Sequence, residues 1–333
     1  MTYAARDLVD LLDLEPVERN IYRGQNRDVG TGRIFGGQVL AQSLVAARRT
    51  VDAEDRSAHS LHGYFILAGD LEIPVVYFVD RLRDGRSFTT RRVTAIQHGR
   101  AIFNMSASFH KTEDGISHQD TMPDVPPPEA LESEIDIIRR HADRVPEPLR
   151  SLVTQDRPLD RRPVAPLDPF RPKPDRPVRR AWIRTIGDLS DDPLHHQAVL
   201  AYASDYGLLR SALVPHGRTF FDRDVMGASL DHAIWFHRPF RVDEWLLYVT
   251  ESTVASGARA FTRGSFFTRD GALVASVAQE GVIRTGGRPA PASEPAPAGE
   301  PAPAGRSASA GRPAPAGRPA PTDRPATDEG DGK

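Results

Sequence analysis

The sequence predicts an α+β fold in which one unit, a helix laid against an antiparallel sheet, is used twice in a single chain. Two observations predict it. A helix-spaced stretch is followed by long strand-forming segments, and the same order returns later in the chain. A segment rich in Pro, Arg and Asp separates the two copies.

The opening stretch, MTYAARDLVDLLDLEP, carries acids within its apolar spacing and has no long apolar core, so it does not read as a secretion signal. Gly37–Val51 then places Val39, Leu40, Leu44 and Ala47 on one helical face. Strands are predicted at Val75–Asp80, Phe88–Gln97 and Ala101–Lys111, the last two meeting at a tight turn at His98-Gly99. His118 to Arg180 reads as a linker crossing a surface, with one short helix at Glu129–Arg140. The second helix is predicted over Gln197–Leu213, where Val199, Tyr202, Ala203, Tyr206, Leu209 and Leu213 share a face. Strands follow at Trp245–Thr253, Arg259–Arg269 and Ala272–Arg284, the last two joined at Asp270-Gly271. From about Gly286 the composition turns to Pro, Ala, Gly and Arg with PAPAG recurring, which cannot bury enough apolar surface to offset ordering. The expected division is a first unit over 1–117, a linker over 118–180, a second unit over 181–285 and a disordered tail over 286–333.

The two units keep a nearly constant register. Tyr77 matches Tyr248, Phe65 matches Phe236, Arg91 matches Arg263 and Gly99 matches Gly271. Two such sheets side by side are expected to join into one continuous sheet, which also shields their open edges.

Composition excludes several classes of function. The charges nearly cancel, at a net −2, and no basic block is interleaved with aromatics, so nothing points to nucleic acid. Cysteine is absent, which excludes disulfides, zinc–thiolate sites and cysteine nucleophiles. No stretch approaches membrane-spanning length and the C-terminal DGK is no peroxisomal address, so a cytoplasmic protein without a membrane partner is expected. His59, His62, His232 and His237 follow no zinc-ligand spacing and there is no HExxH, so neither a metal nor another cofactor is expected. The G-x-S-x-G elbow, the P-loop and the G-x-G-x-x-G fingerprint are missing as well.

A duplicated unit supplies its own control, because polar residues of one half that face apolar or absent side chains in the other are candidates for chemistry. In the last strand of the first half Phe103, Met105, Ala107 and Phe109 alternate on one face, where the second half reads Ala275, Val277, Gln279 and Gly281. Gln279 thus replaces Ala107 on a core face, where an unpartnered amide costs roughly 2–7 kcal/mol. Aligning the helices by their apolar stripes sets Asp205 against Gly36, and Ser229 lies opposite Ala58. Singly, these read as a backbone tie, a helix cap and a turn residue. Together, a carboxylate, a hydroxyl and an amide can hold one water.

These residues also carry a family resemblance. RNIYRGQNRDVGTGRIFGGQVLAQSL, HSLHGYF and RDGRSFTTRRV resemble the N-terminal half of acyl-CoA thioesterase II. HQDTMPDVPPPEAL in the linker and SLDHAIWFHRPFRVDEWLLYVTESTVASGARAFTRGSFFTRDGALVASVAQEG in the second half resemble it too. The resemblance spans about Leu14 to Arg284, departing locally where Leu67-Ala68 stands in place of the family's frequent Arg-Pro. It implies a double hotdog fold, an acyl-CoA substrate, no cofactor and possible further pairing into a homo-oligomer. The family's catalytic Asp, Ser or Thr, and Gln fall by motif on Asp205 in YASDYG, Ser229 in SLDH and Gln279 in VAQEG. The expected reaction is hydrolysis of a fatty acyl-CoA by a water held on these three groups. An enoyl-CoA hydratase-like enzyme and a non-catalytic acyl-CoA-binding protein are the alternatives. Arg86, Arg91, Arg92, Arg259 and Arg263 are candidates for the CoA phosphates, against the plainer reading of solvated strand faces.

Overall fold

The structure is a computed structural model that describes residues 4–286, apart from 31, 145–149, 151–153, 167 and 169–171. From 287 onward the Pro- and Ala-rich tail lies outside the described residues. The first half runs α1 (Ala5–Leu12), β1 (Glu15–Glu18), β2 (Ile21–Gly24), α2 (Gly36–Arg48), β3 (Arg56–Phe65), β4 (Val75–Asp84), β5 (Phe88–Gln97) and β6 (Arg100–Lys111). After α3 (Glu134–Arg140) come β7 (Leu159–Pro163), β8 (Val178–Thr185) and α4 (Pro193–Ser204). A 3₁₀ segment, Leu209–His216, then leads to β9 (Val225–Ser229), β10 (Asp231–Phe236), β11 (Leu246–Ser256), β12 (Arg259–Thr268) and β13 (Leu273–Thr285).

All these strands join one antiparallel sheet in the order β1-β2-β4-β5-β6-β3-β10-β13-β12-β11-β8-β7, with β9 beside β13. Read outward from the β3–β10 join, the two sides are copies: β6 and β13, then β5 and β12, then β4 and β11. At the join His62 faces Ala233, Ser60 faces Trp235 and Tyr64 faces Asp231. With Phe65 matched to Phe236, that pairing is symmetric about His62 and Ala233, as in a two-fold contact between identical strands. Each half thereby loses an open edge. Helices α2 and α4 pack against each other, and α2 lies on β3 to β6. This is the double hotdog arrangement.

The core follows from the period of two along each strand. Phe103, Met105, Ala107 and Phe109 point inward from β6, and Ala275, Val277 and Gln279 from β13. The matched tyrosines are both fully buried and both tie a helix to the sheet. Tyr77 Oη donates to Gln42 Oε1 at 2.6 Å, and Tyr248 Oη donates to the Ser204 carbonyl at 2.7 Å. Burial pushes both phenol pKa values well above their ordinary range.

Several expectations need correction. The second helix does not run through Leu213: it starts at Pro193, capped by Asp192 Oδ1 on the Leu194 N–H at 2.9 Å, and stops at Ser204. Gly207 at φ +78° turns the chain into the 3₁₀ segment, and both pieces bury apolar residues, which is why their spacing reads as one helix. The predicted helix at Glu129–Arg140 divides into a 3₁₀ turn, Pro128–Ala130, and α3. The stretch read as a linker supplies β7 and the first residues of β8 to the sheet.

Matching Arg91 to Arg263 is off by one residue. Arg91 stands opposite Ala107, and Thr262 stands opposite Gln279, so Thr262 is the counterpart of Arg91. The β12–β13 turn is one residue longer than its partner at His98-Gly99, and a one-residue slip exchanges the two faces of a strand. Arg91 is accordingly buried on Thr50, Asp84 and the Arg83 carbonyl, whereas Arg263 is exposed and paired with Glu251. Strand β3 escapes a period-of-two reading because a bulge between Ala58 and Ser60 shifts its alternation.

Candidate active site

The three side chains singled out from sequence converge on one amide. Gln279 Nε2 donates to Asp205 Oδ1 at 2.8 Å and to Ser229 Oγ at 2.9 Å. They arrive from separate elements: Asp205 caps the C-terminal end of α4, Ser229 ends β9, and Gln279 stands in β13. Strand β9 pairs with β13, setting Ser229 opposite Gly281, which is the counterpart of Phe109 facing Ala58. The matches of Ser229 to Ala58 and Gln279 to Ala107 therefore hold in space.

The match of Asp205 to Gly36 does not hold as an equivalence. Gly36 is the first residue of α2 and Asp205 follows the last residue of α4. The two are neighbours instead, because the helices pack so that the end of one meets the start of the other. Asp205 Oδ2 accepts the Gly37 N–H at 2.9 Å. Phe35, at the N-cap of α2, has no side chain able to cap, so the carboxylate from the other half does that work. A carboxylate at a helix start gains typically 0.3–1 kcal/mol from the helix dipole, and up to about 2 kcal/mol when partly buried. Asp205 has 8 % of its side chain exposed.

Gly36 is required by this contact. A Cβ there would lie 2.8 Å from Asp205 Oδ2 and 3.0 Å from the Phe65 ring. Gly36→Ala is expected to displace the carboxylate and lower kcat on the order of 10²-fold, since ångström-scale misplacement at a reacting centre costs that much. Thiol release together with a circular-dichroism melt checks it. A well-folded variant with wild-type kcat would show that the contact is dispensable.

Sequence reasoning missed His232. It is fully buried, and its Nδ1 lies 3.2 Å from Gln279 Nε2 while its Nε2 lies 2.9 Å from Ser204 Oγ. Ser204 spends its own proton on the Ala201 carbonyl, so toward His232 it accepts. The imidazole proton therefore sits on Nε2, and Nδ1 presents a lone pair to Gln279. Burial lowers the His232 pKa, with Asp205 and Asp231 opposing, which favours this neutral form. The signal was in the sequence: the offset that pairs Phe65 with Phe236 sets His232 on Leu61, itself fully buried. Two N–H protons on Gln279 face three acceptors, leaving the Ser229 hydroxyl proton available. Gln279 Oε1 is buried and meets no donor among the described residues.

The other histidines lie elsewhere. His62 packs edge-on to Trp235, His237 Nε2 meets Ser276 Oγ at 2.9 Å, and His59 lies beside Phe88 and His110. The arginines considered for the CoA phosphates are mostly committed: besides Arg91 and Arg263, Arg92 pairs with Asp80 and Arg259 with Glu280.

With this geometry in place, comparison with known proteins is informative. Residues 149–282 match the family model described as acyl-CoA thioesterase, and residues 25–110 match the acyl-CoA thioesterase N-terminal domain. Acyl-CoA thioesterase 2 of Haemophilus influenzae is 40 % identical over 85 % of this chain and 99 % of its own length. The chain belongs to the acyl-CoA thioesterase II family. Human acyl-coenzyme A thioesterase 8 is 42 % identical over 82 % of this chain and 88 % of its own. The acyl-CoA thioesterase II TesB2 structure from Mycobacterium marinum is 44 % identical, covers 86 % of this chain and all of its own, and superposes with a TM-score of 0.68. Members of the acyl-CoA thioesterase II family are thioester hydrolases, and the double hotdog reading agrees with an Alicyclobacillus acidocaldarius hot dog structure, 21 % identical and also at TM-score 0.68.

Proposed function

We propose that the chain hydrolyses fatty acyl-CoA to a free carboxylic acid and CoA through direct attack of one water oriented by Asp205, Ser229 and Gln279. The observation that carries this reading is the shared amide: groups 74 and 50 residues from Gln279 in the chain both meet its Nε2 within 2.9 Å. Asp205 takes a proton from the water while its oxygen attacks the thioester carbonyl. The C–S bond then breaks, and the thiolate of CoA takes up that proton. Ser229 and Gln279 hold the water, so no covalent acyl-enzyme is needed. Negative charge on the carbonyl oxygen is met at the start of α2, where the N–H of Gly36 has no intrahelical acceptor. The second half supplies the reacting side chains and the first half supplies backbone donors.

Thiol release across acyl-chain lengths, for wild type and for single variants at the three positions, tests the reading. Tight acyl-CoA binding without thiol release would identify a binding protein instead.

His232 acts in this scheme as a positioning residue. Restoring the first-half residue with His232→Leu is expected to lower kcat about tenfold at unchanged KM, by removing one acceptor that orients Gln279. A pH effect accompanies it. The folded His232 pKa lies below its ordinary 6.5, so the stability it contributes is present above about pH 6.5 and lost as pH falls through the folded value. The leucine variant should show a shallower loss of Tm between pH 7 and 5 than wild type, the remainder coming from His59, His196 and His237, whose pKa values burial also lowers. Identical Tm–pH slopes would remove His232 from this account.

A further inference from the structure

Beyond Tyr206, the residue after Asp205, a tract of cavities carries charge that the site above does not use. A narrow pocket is lined by Ala203, Tyr206 and Tyr248 on one side and by Glu134, Arg157 and Arg161 on the other. Glu134 and Arg161 also wall a larger cleft of about 1050 Å³, whose floor is Ile137, Ile138, Leu213 and Val214. Arg179, Arg180 and Arg210 line the same cleft. The two pockets share Glu134 and Arg161 as lining residues, so the arginine group lies one wall away from the neighbours of Asp205.

Positive charge there exceeds the acid that faces it. Glu134 lies 2.6 Å from Arg161 and 3.6 Å from Arg210, so two arginines share one carboxylate. Asp168 also lines the cleft but is bound to Arg144 at 2.9 Å. Arg157 and Arg180 form no ion pair among the described residues, Arg157 acting on Glu134 only at longer range, and Arg179 Nη2 donates to the Ala165 carbonyl at 2.5 Å. Burial, then the charge of Arg161, hold the Arg179 pKa below its ordinary value. Arg210 has 47 % of its side chain exposed, so the group is open to a ligand. Planar guanidinium groups bind phosphate oxygens in pairs, and a concave cationic wall concentrates polyanions.

We propose that this arginine-lined cleft holds the phosphate groups of coenzyme A, with the pantetheine arm passing Arg157 and Arg161 toward the thioester at Asp205. The inference rests on the acyl-CoA reading above. It replaces the strand arginines considered from sequence, whose charges are largely paired within the sheet.

The test compares two thioesters of the same fatty acid, one of CoA and one of pantetheine without phosphates. Wild type is assayed beside Arg210→Gln and the double variant Arg179→Gln/Arg180→Gln, with circular-dichroism melts as the folding control. KM for the CoA thioester is expected to rise about tenfold at little-changed kcat, while the pantetheine thioester shows no matching rise. Equal losses on both thioesters, or an effect that grows with acyl length, would overturn the proposal and assign the cleft to the fold or to the acyl chain. Unchanged constants on both would overturn it too. If wild type released no thiol from acyl-CoA, the proposed function would fall, and calorimetric titration with free CoA would judge the cleft alone: binding by wild type that the variants lose supports it, and no binding overturns it.

Discussion

Asp205→Asn is expected to lower kcat for acyl-CoA hydrolysis by about 10²–10⁴-fold, the usual contribution of a positioned general base, with KM near wild type. The substitution keeps an oxygen that can accept the Gly37 N–H, so the join between α4 and α2 survives. What is lost is the group proposed to receive the water's proton. The asparagine amide would also confront the donor face of Gln279, now 2.8 Å from Oδ1, which misorients the second water ligand. Steady-state thiol release beside a thermal melt measures both effects. An asparagine variant that retained wild-type turnover would remove Asp205 as the base and with it the proposed mechanism.

Gln279→Ala is the second large effect, expected at about 10²-fold or more in kcat together with a modest fall in Tm. Alanine is what the first half carries at the matched position, Ala107, which is buried opposite Arg91 where Gln279 is opposite the smaller Thr262. The substitution gives up the hydrogen bonds to Asp205, Ser229 and His232, and a buried polar group left without its partner costs about 1–3 kcal/mol. Catalysis is expected to fall further than stability, because Asp205 and Ser229 are no longer joined through one donor. A variant whose activity fell only as far as its folded fraction would show the amide to be structural instead.

The contrast between halves explains why so much of the site was legible. The second half departs from the first at Gln279 and Ser229, and each departure places a polar group where the fold asks for an apolar or small one. His232 follows the same rule on Leu61, yet a lone histidine invites a metal reading and hides the comparison. Asp205 was found through a wrong equivalence: Gly36 is its contact, not its counterpart. The Arg91–Arg263 match failed because one extra turn residue slips the register, and periodicity cannot report a change of that size.

The sequence by itself determined six of the seven described strands of ten residues or more, the existence of both helices and the duplication, and singled out Asp205, Ser229 and Gln279 as candidates. These rest on local rules: alternation along a strand, helical spacing, turn chemistry, and comparison of one copy with the other. Only the tertiary structure decided that β3 and β10 join the halves, that α4 ends against the first turn of α2, that His232 backs Gln279, and that arginines from β8 and the 3₁₀ segment share one cleft. Those are contacts between elements far apart in the chain, and they follow from packing two amphipathic layers about a two-fold axis, a condition that no single stretch of residues carries.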